Sequence, residues 1–380
     1  MKNNAFVFAL FLFVSCFSGC GTKERTLPVV DFTKADSVID LNFSTLAGGP
    51  QVIPLETSDE VMLSDGTRFW VGEKYIVAFA PEAIYQFDRA GKYVRKLAVQ
   101  GKGPDEFQTV TAYTVDEEKD YLYYNPHVLD QIMVVNLADG SIIERIKTGY
   151  GNLVSMILNE DGELLCSPMQ YGPAKYLVYA LNGDGQFLYG IRPDTIGQEL
   201  PRRMITVFLG TFAGGTICKD QVSDTLFRIE SGEKTPLCFM KVENPLYGDR
   251  PEGNVVRVQC ASGPNLFVDV AGMKIVRTGE ITGIMMTSRD AHKYYWLDHQ
   301  RGSAQNVKRL YIAPWDSYVE RLYKLGNSGK NFFVSFAALE VKNKVVQKRE
   351  AGETVTEQLE NIDRHLKEDD NQVLVVWTIK

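Results

Sequence analysis

Histidine and cysteine are common metal ligands in proteins, but their spacing in this chain does not indicate a metal site. The four histidines are His127, His292, His299 and His365. No two of them have the His-x-x-x-His spacing, and no Cys-x-x-Cys occurs, although zinc sites commonly use these patterns. His365 lies beside a predicted helical stripe, where we expect it to face solvent. The sequence therefore leaves the metal ligands, if there are any, unknown.

Nucleophilic and phosphate-binding motifs are also missing as local patterns. No Gly-x-Ser-x-Gly elbow or Walker A loop occurs. The Gly101-Lys102-Gly103 segment lacks a third glycine and runs directly into Pro104. Ser231 and Lys234 match the Ser-x-x-Lys pattern, but they fall on a predicted hairpin turn and no partner motif is found. Local motifs thus predict no catalytic and no cofactor-binding residues.

Two segments resemble fragments of calcium-binding loops. They are Asn159-Glu160-Asp161-Gly162 and Asn182-Gly183-Asp184-Gly185. Neither supplies the regularly spaced oxygens and the distal glutamate of an EF-hand. Asn, Asp and Gly are also the usual residues of tight turns, so we interpret both segments as turns between strands.

Cys20 is the residue for which the sequence predicts a specific chemical modification. Lys2 precedes an apolar run from Ala5 to Phe17, followed by Ser18-Gly19-Cys20. This order is typical of a signal peptide, and the run is shorter than the roughly 20 residues that a membrane-spanning helix needs. Phe17 to Cys20 resembles a bacterial lipobox, with Phe17 in place of the usual leucine, which predicts lipidation of Cys20.

Two alternatives to this reading remain open, which are a plain secreted protein cut near Cys20 and acylation of Cys16. Under the preferred reading, residues 1–19 are the signal peptide and residues 20–40 are a lipidated N-terminus and linker. The protein is then exported and anchored to a membrane of the cell envelope through its lipid, and we expect that membrane to be the outer one.

Composition excludes several classes of protein and of partner. Of the 380 residues, 44% are hydrophobic and 23% are charged, which is ordinary for a globular protein. The formal net charge is -7, so there is no excess of basic residues to bind nucleic acid. Cysteine is too sparse for a disulfide scaffold. We expect free buried thiols rather than disulfides at the four cysteines of the mature body, Cys166, Cys218, Cys238 and Cys260.

The body of the chain reads as short strands separated by Gly, Asp and Asn turns. One such set is Tyr75–Phe79, Ala83–Phe87 and Tyr93–Leu97. The turn aspartates at 88, 139 and 184 are 51 and 45 residues apart, and the turn at Gly232 follows 48 residues later. A period of about 45 to 50 residues with four short strands per unit is typical of a β-propeller. We therefore predict an all-β fold in which residues 41–380 form a six-bladed β-propeller with four-stranded blades, and a β-sandwich is the alternative.

The C-terminus combines one predicted helix with a final strand. Val355, Leu359, Ile362 and Leu366 form one apolar stripe at helical spacing, and Thr354 and Glu357 could form a capping box at its start. The strand Val373–Ile379 follows. Pairing of this strand with N-terminal sequence would close the propeller ring without exposed edges.

Several segments of the sequence resemble a known family. Phe87–Leu97 followed by Gly101–Phe107 resembles an NHL-type propeller repeat. Together with Ile53–Thr57, Glu368–Asn371 and Val373–Trp377, these segments resemble the six-bladed β-propeller lipoproteins of Bacteroidota. The resemblance covers nearly the whole mature chain and implies an exported propeller, but it does not specify an activity.

Two classes of function follow from these patterns. We favour a non-catalytic binding or scaffold module that holds a protein, peptide or glycan ligand over one end of the ring. Trp70, Trp296 and Trp315 are the candidate stacking residues for such a ligand. The alternative is a hydrolase or lyase with a divalent cation, such as calcium, in the central channel. Its ligands would come one from each blade, so a search for local motifs cannot exclude it.

Replacing Cys20 with alanine tests the predicted anchor. More than one acyl chain holds a protein stably at a membrane, because each buried CH₂ contributes about 0.8 kcal/mol. The unchanged chain should therefore partition into the membrane fraction, and Cys20→Ala should release soluble protein. Fractionation and mass spectrometry of the N-terminal peptide measure both effects. An unmodified N-terminus at or beyond residue 20 would contradict the prediction.

Overall fold

Six separate sheets contain the strands of this protein in a computed structural model. The structure describes residues 27–35, 37–45, 47–127, 130–169, 175–193, 207–221, 223–246, 252–262, 265–278, 281–286, 292–298, 302–320 and 322–379. Cys20 and the predicted signal peptide lie outside the described residues. The prediction of an all-β six-bladed propeller is confirmed, since each of the six sheets contains the four antiparallel strands of one blade.

The N-terminal strands are β1 (Val29–Asp31), β2 (Val38–Leu41) and β3 (Gln51–Pro54). Blade 1 contains β4 (Arg68–Val71), β5 (Tyr75–Phe79), β6 (Ala83–Asp88) and β7 (Tyr93–Val99). Blade 2 contains β8 (Tyr113–Asp116), β9 (Tyr121–Tyr124), β10 (Gln131–Asn136) and β11 (Ile142–Lys147). Blade 3 contains β12 (Leu153–Leu158), β13 (Leu164–Pro168), β14 (Val178–Leu181) and β15 (Phe187–Ile191).

Blade 4 contains β16 (Val207–Thr211), β17 (Thr216–Asp220), β18 (Thr225–Glu230) and β19 (Glu233–Lys241). Blade 5 contains β20 (Glu252–Ser262), β21 (Asn265–Thr278), β22 (Ile281–Met286), β23 (Lys293–Asp298), β24 (Ser303–Ile312) and β25 (Ser317–Val319). Blade 6 contains β26 (Leu325–Ser328), β27 (Asn331–Phe336) and β28 (Val373–Thr378) together with β3. The helices are α1 (Ala338–Glu350) and α2 (Glu357–His365), and short 3-10 helices cover Phe32–Lys34, Phe43–Thr45, Ala313–Trp315 and Leu322–Lys324.

The ring is closed in blade 6 by strands from both ends of the chain. β28 lies between β27 and β3, with Phe333 opposite Val376 and Val373 opposite Pro54. All but one of the residues in β28 are buried. The predicted closing strand is therefore confirmed, and it forms the third strand of a blade whose outer strand is N-terminal.

The N-terminal residues 29–54, which we call the belt, pass along the outer edges of three blades. β1 pairs in parallel with β19 of blade 4, β2 pairs in parallel with β24 of blade 5, and β3 completes blade 6. An ion pair holds each of the first two strands, at 2.9 Å between Asp31 and Lys241 and at 2.9 Å between Asp40 and Arg309. Part of the segment predicted as a linker up to residue 40 therefore belongs to the propeller.

Adjacent blades pack through separate apolar cores, one for each of the six interfaces. The belt contributes to the cores on both sides of blade 5. Phe43 is fully buried between blades 5 and 6, where its ring centroid lies 4.9 Å from that of Phe332 and 5.3 Å from that of Trp377. The belt thus supplies core side chains as well as strand edges.

The turn between the third and fourth strands of a blade explains the repeated sequence phrase. Gly91 has φ +85°, and a Cβ at this position would lie 2.3 Å from the carbonyl oxygen of Pro54 in the outer strand of the preceding blade. Only glycine combines this backbone conformation with such a close approach. Glycines in the equivalent turns of blades 2, 3 and 4 also have positive φ and face the preceding outer strand, at Gly140, Gly185 and Gly232.

The polar residue at the start of this turn differs from the one that the sequence analysis assigned in blades 2 and 3. The Asp88 carboxylate accepts hydrogen bonds from the backbone N–H groups of Ala90 and Lys92, and the Asn182 side chain does the same two and four residues further on. Asn136 accepts a bond two residues on. The equivalents of Asp88 are therefore Asn136 and Asn182, and not the aspartates at 139 and 184.

Two helices replace the one that the sequence predicts. α2 begins after Thr356, whose Oγ1 accepts a hydrogen bond from the Leu359 N–H, so the capping residue is Thr356 and not Thr354. The helix α1 escaped prediction because Lys348 occupies one position of its buried stripe. Lys348 is only 3% exposed, and its amine is balanced by an ion pair with the Glu353 carboxylate at 3.2 Å.

Phe43→Ala tests the contribution of the belt to the fold. Truncating a fully buried phenylalanine costs about 3 to 5 kcal/mol of unfolding free energy. Phe187→Ala is the matched control, because Phe187 is 43% exposed on the outer strand of blade 3; it should cost about 1 kcal/mol through lost aromatic contacts. Urea unfolding of the two variants measures the difference. Equal free energies of unfolding would show that the belt does not stabilise the ring.

Candidate functional site

The innermost strands of all six blades enclose a cavity of about 410 Å³ in the central channel. Aromatic side chains form much of its wall, including Phe69, Trp70, Tyr113 and Phe208. Tyr113 is held by stacking on Phe79, with ring centroids 3.7 Å apart, and its ring also lies 5.3 Å from the Arg68 guanidinium. These contacts fix the aromatic wall in place.

Uncharged polar side chains lie among the aromatic and aliphatic residues of the described channel lining. Gln259, Asn327 and Ser328 all line the cavity. Asn327 donates to the carbonyl of Ala261 in the neighbouring inner strand at 2.8 Å, and Ser328 accepts from the Val71 N–H at 3.0 Å. Polar groups of the channel thus connect inner strands of neighbouring blades that share no ladder of backbone hydrogen bonds.

The described lining of this cavity contains no carboxylate, histidine or cysteine side chain. Across all described residues, no three His, Cys, Asp or Glu side chains come close enough together to hold a metal ion. The convergence of acidic side chains that the metal-dependent alternative requires is therefore not present in the part of the channel that the structure describes.

A second cavity, of about 330 Å³, lies beside the channel and is lined from blades 3, 4 and 5. Phe208 and Gln259 line both cavities. At the second cavity, the fully buried carboxylate of Asp269 pairs with Arg257, which donates from Nε at 3.1 Å and also from one terminal nitrogen. The Nδ1 of His292 lies 2.7 Å from the same carboxylate. A buried carboxylate needs such partners, because desolvation disfavours an unpaired charge.

Lys219 lines the same cavity and is almost completely buried. Its amine donates to the backbone carbonyls of Asp220 and Ser223, at 2.6 Å for Ser223. Burial lowers the pKa of Lys219, because desolvation disfavours the charged amine. Both cations at this cavity are therefore held by groups of the protein itself.

The polar cluster at the second cavity was not recognised from the sequence, which named His292 only as one of the four histidines. Arg257 and Asp269 are opposite each other on β20 and β21. Each interrupts an apolar run, in Val255-Val256-Arg257-Val258 and in Phe267-Val268-Asp269-Val270. Opposite charges at the centre of two adjacent apolar strands were the signal that could have identified this pair.

The predicted stacking tryptophans have three different environments. Trp70 lines the channel, as a stacking residue would. Trp296 is half-buried and packs 5.7 Å from Phe43 between ring centroids, inside the core between blades 5 and 6. Trp315 is only 2% exposed and is therefore a core residue rather than an exposed platform.

The histidines do not come together in the described structure. His365 is exposed on α2, as predicted, and its Nδ1 lies 2.9 Å from the carbonyl of Asn361. His127 adopts a left-handed backbone conformation with φ +45° in the loop between β9 and β10. His299 lies outside the described residues. The described histidines thus provide no shared site.

The segments that resemble catalytic or calcium-binding motifs are turns. Ser231 lies in the turn between β18 and β19 and has φ +50°. The Asn159 side chain accepts hydrogen bonds from the N–H groups of Asp161 and Glu163, at 3.1 and 2.8 Å. These backbone contacts use the oxygen that a calcium ion would need. The Asn182 side chain makes the same pair of contacts in its own turn. The prediction that the two segments resembling calcium-binding loops are turns is therefore confirmed.

Cys166, Cys218, Cys238 and Cys260 are buried and form no disulfide with one another, as predicted. Burial raises the pKa of Cys238 to about 12, and burial also raises the pKa of the Cys166 and Cys260 thiols. Thiolate is the reactive form of cysteine, so these side chains act as small apolar residues.

Six four-stranded blades around a central channel define the chain as a six-bladed β-propeller. The chain belongs to the family described as Domain of unknown function (DUF4934), which matches residues 27–378. No curated protein matches it. Among the described residues, no helix has the length and apolar character needed to cross a membrane.

Two solved structures from Bacteroides are similar to this chain. One is the "Putative exported protein" of Bacteroides fragilis, with a TM-score of 0.63 and 13% identity over 90% of this chain and 98% of that chain. The other is a member of the DUF4221 family from Bacteroides vulgatus, with a TM-score of 0.46 and 8% identity over 87% of this chain and 96% of that chain. At these identities, the likeness concerns the fold alone.

The buried thiols give a direct test of the described cores. In a chain expressed from Gly21, all four cysteines should resist Ellman's reagent at pH 8, because the raised pKa keeps Cys238 protonated below about pH 12 and burial excludes the reagent. All four should react after unfolding in guanidinium. A thiol that reacts quickly in the native protein would contradict its burial, and fewer than four reactive thiols after non-reducing unfolding would indicate a disulfide.

Proposed function

We propose that this protein is an exported lipoprotein that acts as a recognition module and binds its ligand in the central channel. The observation that carries the proposal is the 410 Å³ cavity, which receives side chains from all six blades. A cavity of this size holds a small molecule or one unit of a longer chain. The inner strands of the ring form the walls of the cavity, and a site built on rigid strands loses less entropy on binding.

The chemistry of the cavity wall favours an uncharged ligand. Aromatic rings such as Trp70 and Tyr113 bind apolar faces by stacking, and amide and hydroxyl groups such as Gln259 and Thr114 bind hydroxyl or amide groups. Sugar rings and peptide groups offer both features. A glycan or a peptide is therefore the ligand class that we propose.

Export and anchoring rest on the N-terminal sequence. The apolar run ending at Gly19-Cys20 supports a signal peptide with lipidation of Cys20. The name "Putative exported protein" of the similar Bacteroides fragilis structure agrees with export. We propose the outer membrane as the site of the anchor, with the propeller outside the cytoplasm.

Ligand arrays followed by calorimetry test the proposal. Glycan and peptide arrays should yield ligands for the chain expressed from Gly21, and Trp70→Ala and Gln259→Ala should each weaken binding at least tenfold, the equivalent of about 1.4 kcal/mol. Phe187→Ala is the control, because Phe187 lies outside the channel and should leave the affinity unchanged. Binding that both channel variants leave intact would place the ligand elsewhere. Metal-dependent turnover of an ester, lactone, glycoside or peptide substrate would replace recognition with catalysis.

A further inference from the structure

A groove separate from the channel lies between the short strand β25 and the helix α1. Its volume is about 430 Å³. The buried side chains Trp315, Val334 and Phe336 line its apolar part. β25 contributes Ser317, Tyr318 and Val319 to one side, and α1 contributes Asn343, Lys344 and Gln347 to the other. We call this the β25–α1 groove.

The strand that forms one side of this groove has a free edge in the described structure. β25 pairs with β24 through three residue pairs, from Leu310 opposite Val319 to Ile312 opposite Ser317. No other strand among the described residues pairs with it. A free edge exposes backbone N–H and C=O groups that can pair with another extended chain.

Two buried polar atoms at the groove have no hydrogen-bond partner within the described structure. They are Nε1 of Trp315 and Oγ of Ser317. Their residues are only 2% and 7% exposed. Buried polar atoms are normally satisfied, so two orphans on one groove indicate a place where a polar group from outside the described chain would be stabilising.

The walls of the groove are held in place by contacts within the protein. The Lys324 amine lies 3.1 Å from the Glu340 carboxylate, which also accepts a hydrogen bond from the Ala337 N–H at the start of α1. The rings of Trp315 and Phe336 are in edge contact, with centroids 4.2 Å apart. The ion pair ties α1 to the 3-10 helix Leu322–Lys324 that follows β25, and the ring contact ties β27 to the 3-10 helix Ala313–Trp315 that precedes β25, so that the groove is preformed.

The belt shows how this fold accepts short extended segments. β1 and β2 contain three and four residues, and each adds to the free edge of an outer blade strand. β2 adds to β24, the same strand that carries β25. Three residues of extended chain are therefore enough to pair with the edge of a blade in this molecule. β25 is also three residues long, and its edge lies beside an apolar groove.

We propose that the β25–α1 groove binds an extended peptide segment of another protein, which adds as a strand to the free edge of β25. Main-chain hydrogen bonds to β25 would supply affinity. Every second side chain of an extended peptide points the same way, so one apolar side chain would enter the groove and its neighbours would face away. The site is independent of the channel, and it would allow the protein to bind a partner protein and a channel ligand together.

A library of displayed random twelve-residue peptides, panned on the chain expressed from Gly21, tests the proposal. Selected peptides should carry apolar residues at alternate positions. Synthetic versions should bind the unchanged protein in fluorescence polarisation, and Asn343→Trp, which fills the groove from the exposed side of α1, should weaken binding at least tenfold. Glu350→Trp is the matched control, because Glu350 is exposed on the same helix but does not line the groove; it should change the affinity less than twofold.

Backbone N-methylation at alternate positions of a selected peptide should also abolish binding, because it removes the donors that pair with β25. Circular dichroism checks that the variants fold, and Gln347→Trp is the second groove-filling variant if Asn343→Trp does not. Peptides that bind Asn343→Trp or survive N-methylation with unchanged affinity would overturn the proposal. It would also fail if no sequence is enriched on the parent over the variant, or if the chain forms a dimer that Asn343→Trp dissociates. Channel variants such as Trp70→Ala should leave peptide binding intact, so this outcome is independent of the proposed channel ligand.

Discussion

Side-chain packing between blades is the constraint on which this structure depends. Backbone hydrogen bonds hold each four-stranded sheet together, but neighbouring blades belong to different sheets. The six interfaces are therefore held by apolar cores and by a few side-chain bridges, such as Asn327 to Ala261 near the axis. An open ring would leave two blade faces exposed to water, and both would be apolar. Closure of the ring by β28 and β3 buries these two faces and avoids the free-energy cost of exposing them to water.

The same constraint determines what the channel can do. Inner strands must approach one another closely enough to pack, so their side chains fill most of the axis and leave a bounded cavity. The polar residues Asn327 and Ser328 that line it also connect the blades, so substitutions at these positions of the lining should also lower the stability of the ring. Function can vary more freely at the periphery. The insertion between β27 and β28 places α1 and α2 there, and the extension of β24 into β25 forms an edge beside α1.

Local patterns in the sequence were sufficient to predict the blades, because each hairpin contains its own turn residues and its own short runs of β-branched and aromatic residues. The repeat was found even though Asp139 and Asp184 are not the equivalents of Asp88. They lie two or three residues after Asn136 and Asn182, which accept the equivalent hydrogen bonds, so the spacing between turns is nearly the same. The belt strands β1 and β2 were missed, because three or four residues in a parallel pair leave no periodic signal. The helix α1 was missed because Lys348 occupies a buried position. The pairing of Arg257 with Asp269 was missed because the two charged residues were not compared across the adjacent strands that place them opposite each other.

The belt has a consequence for how the chain reaches its native state. Asp31 and Lys241 are 210 residues apart, and Asp40 and Arg309 are 269 residues apart. The Asn371 side chain bridges to Leu63 across 308 residues. Contacts between such distant residues form slowly, because a long loop must close before any of them stabilises the fold. During synthesis, Val30, Phe32 and Phe43 emerge long before the strands that they pack against. The N-terminal segment therefore spends the whole period of chain emergence as an unpaired apolar strand, the kind of segment that chaperones bind and that aggregates when they do not.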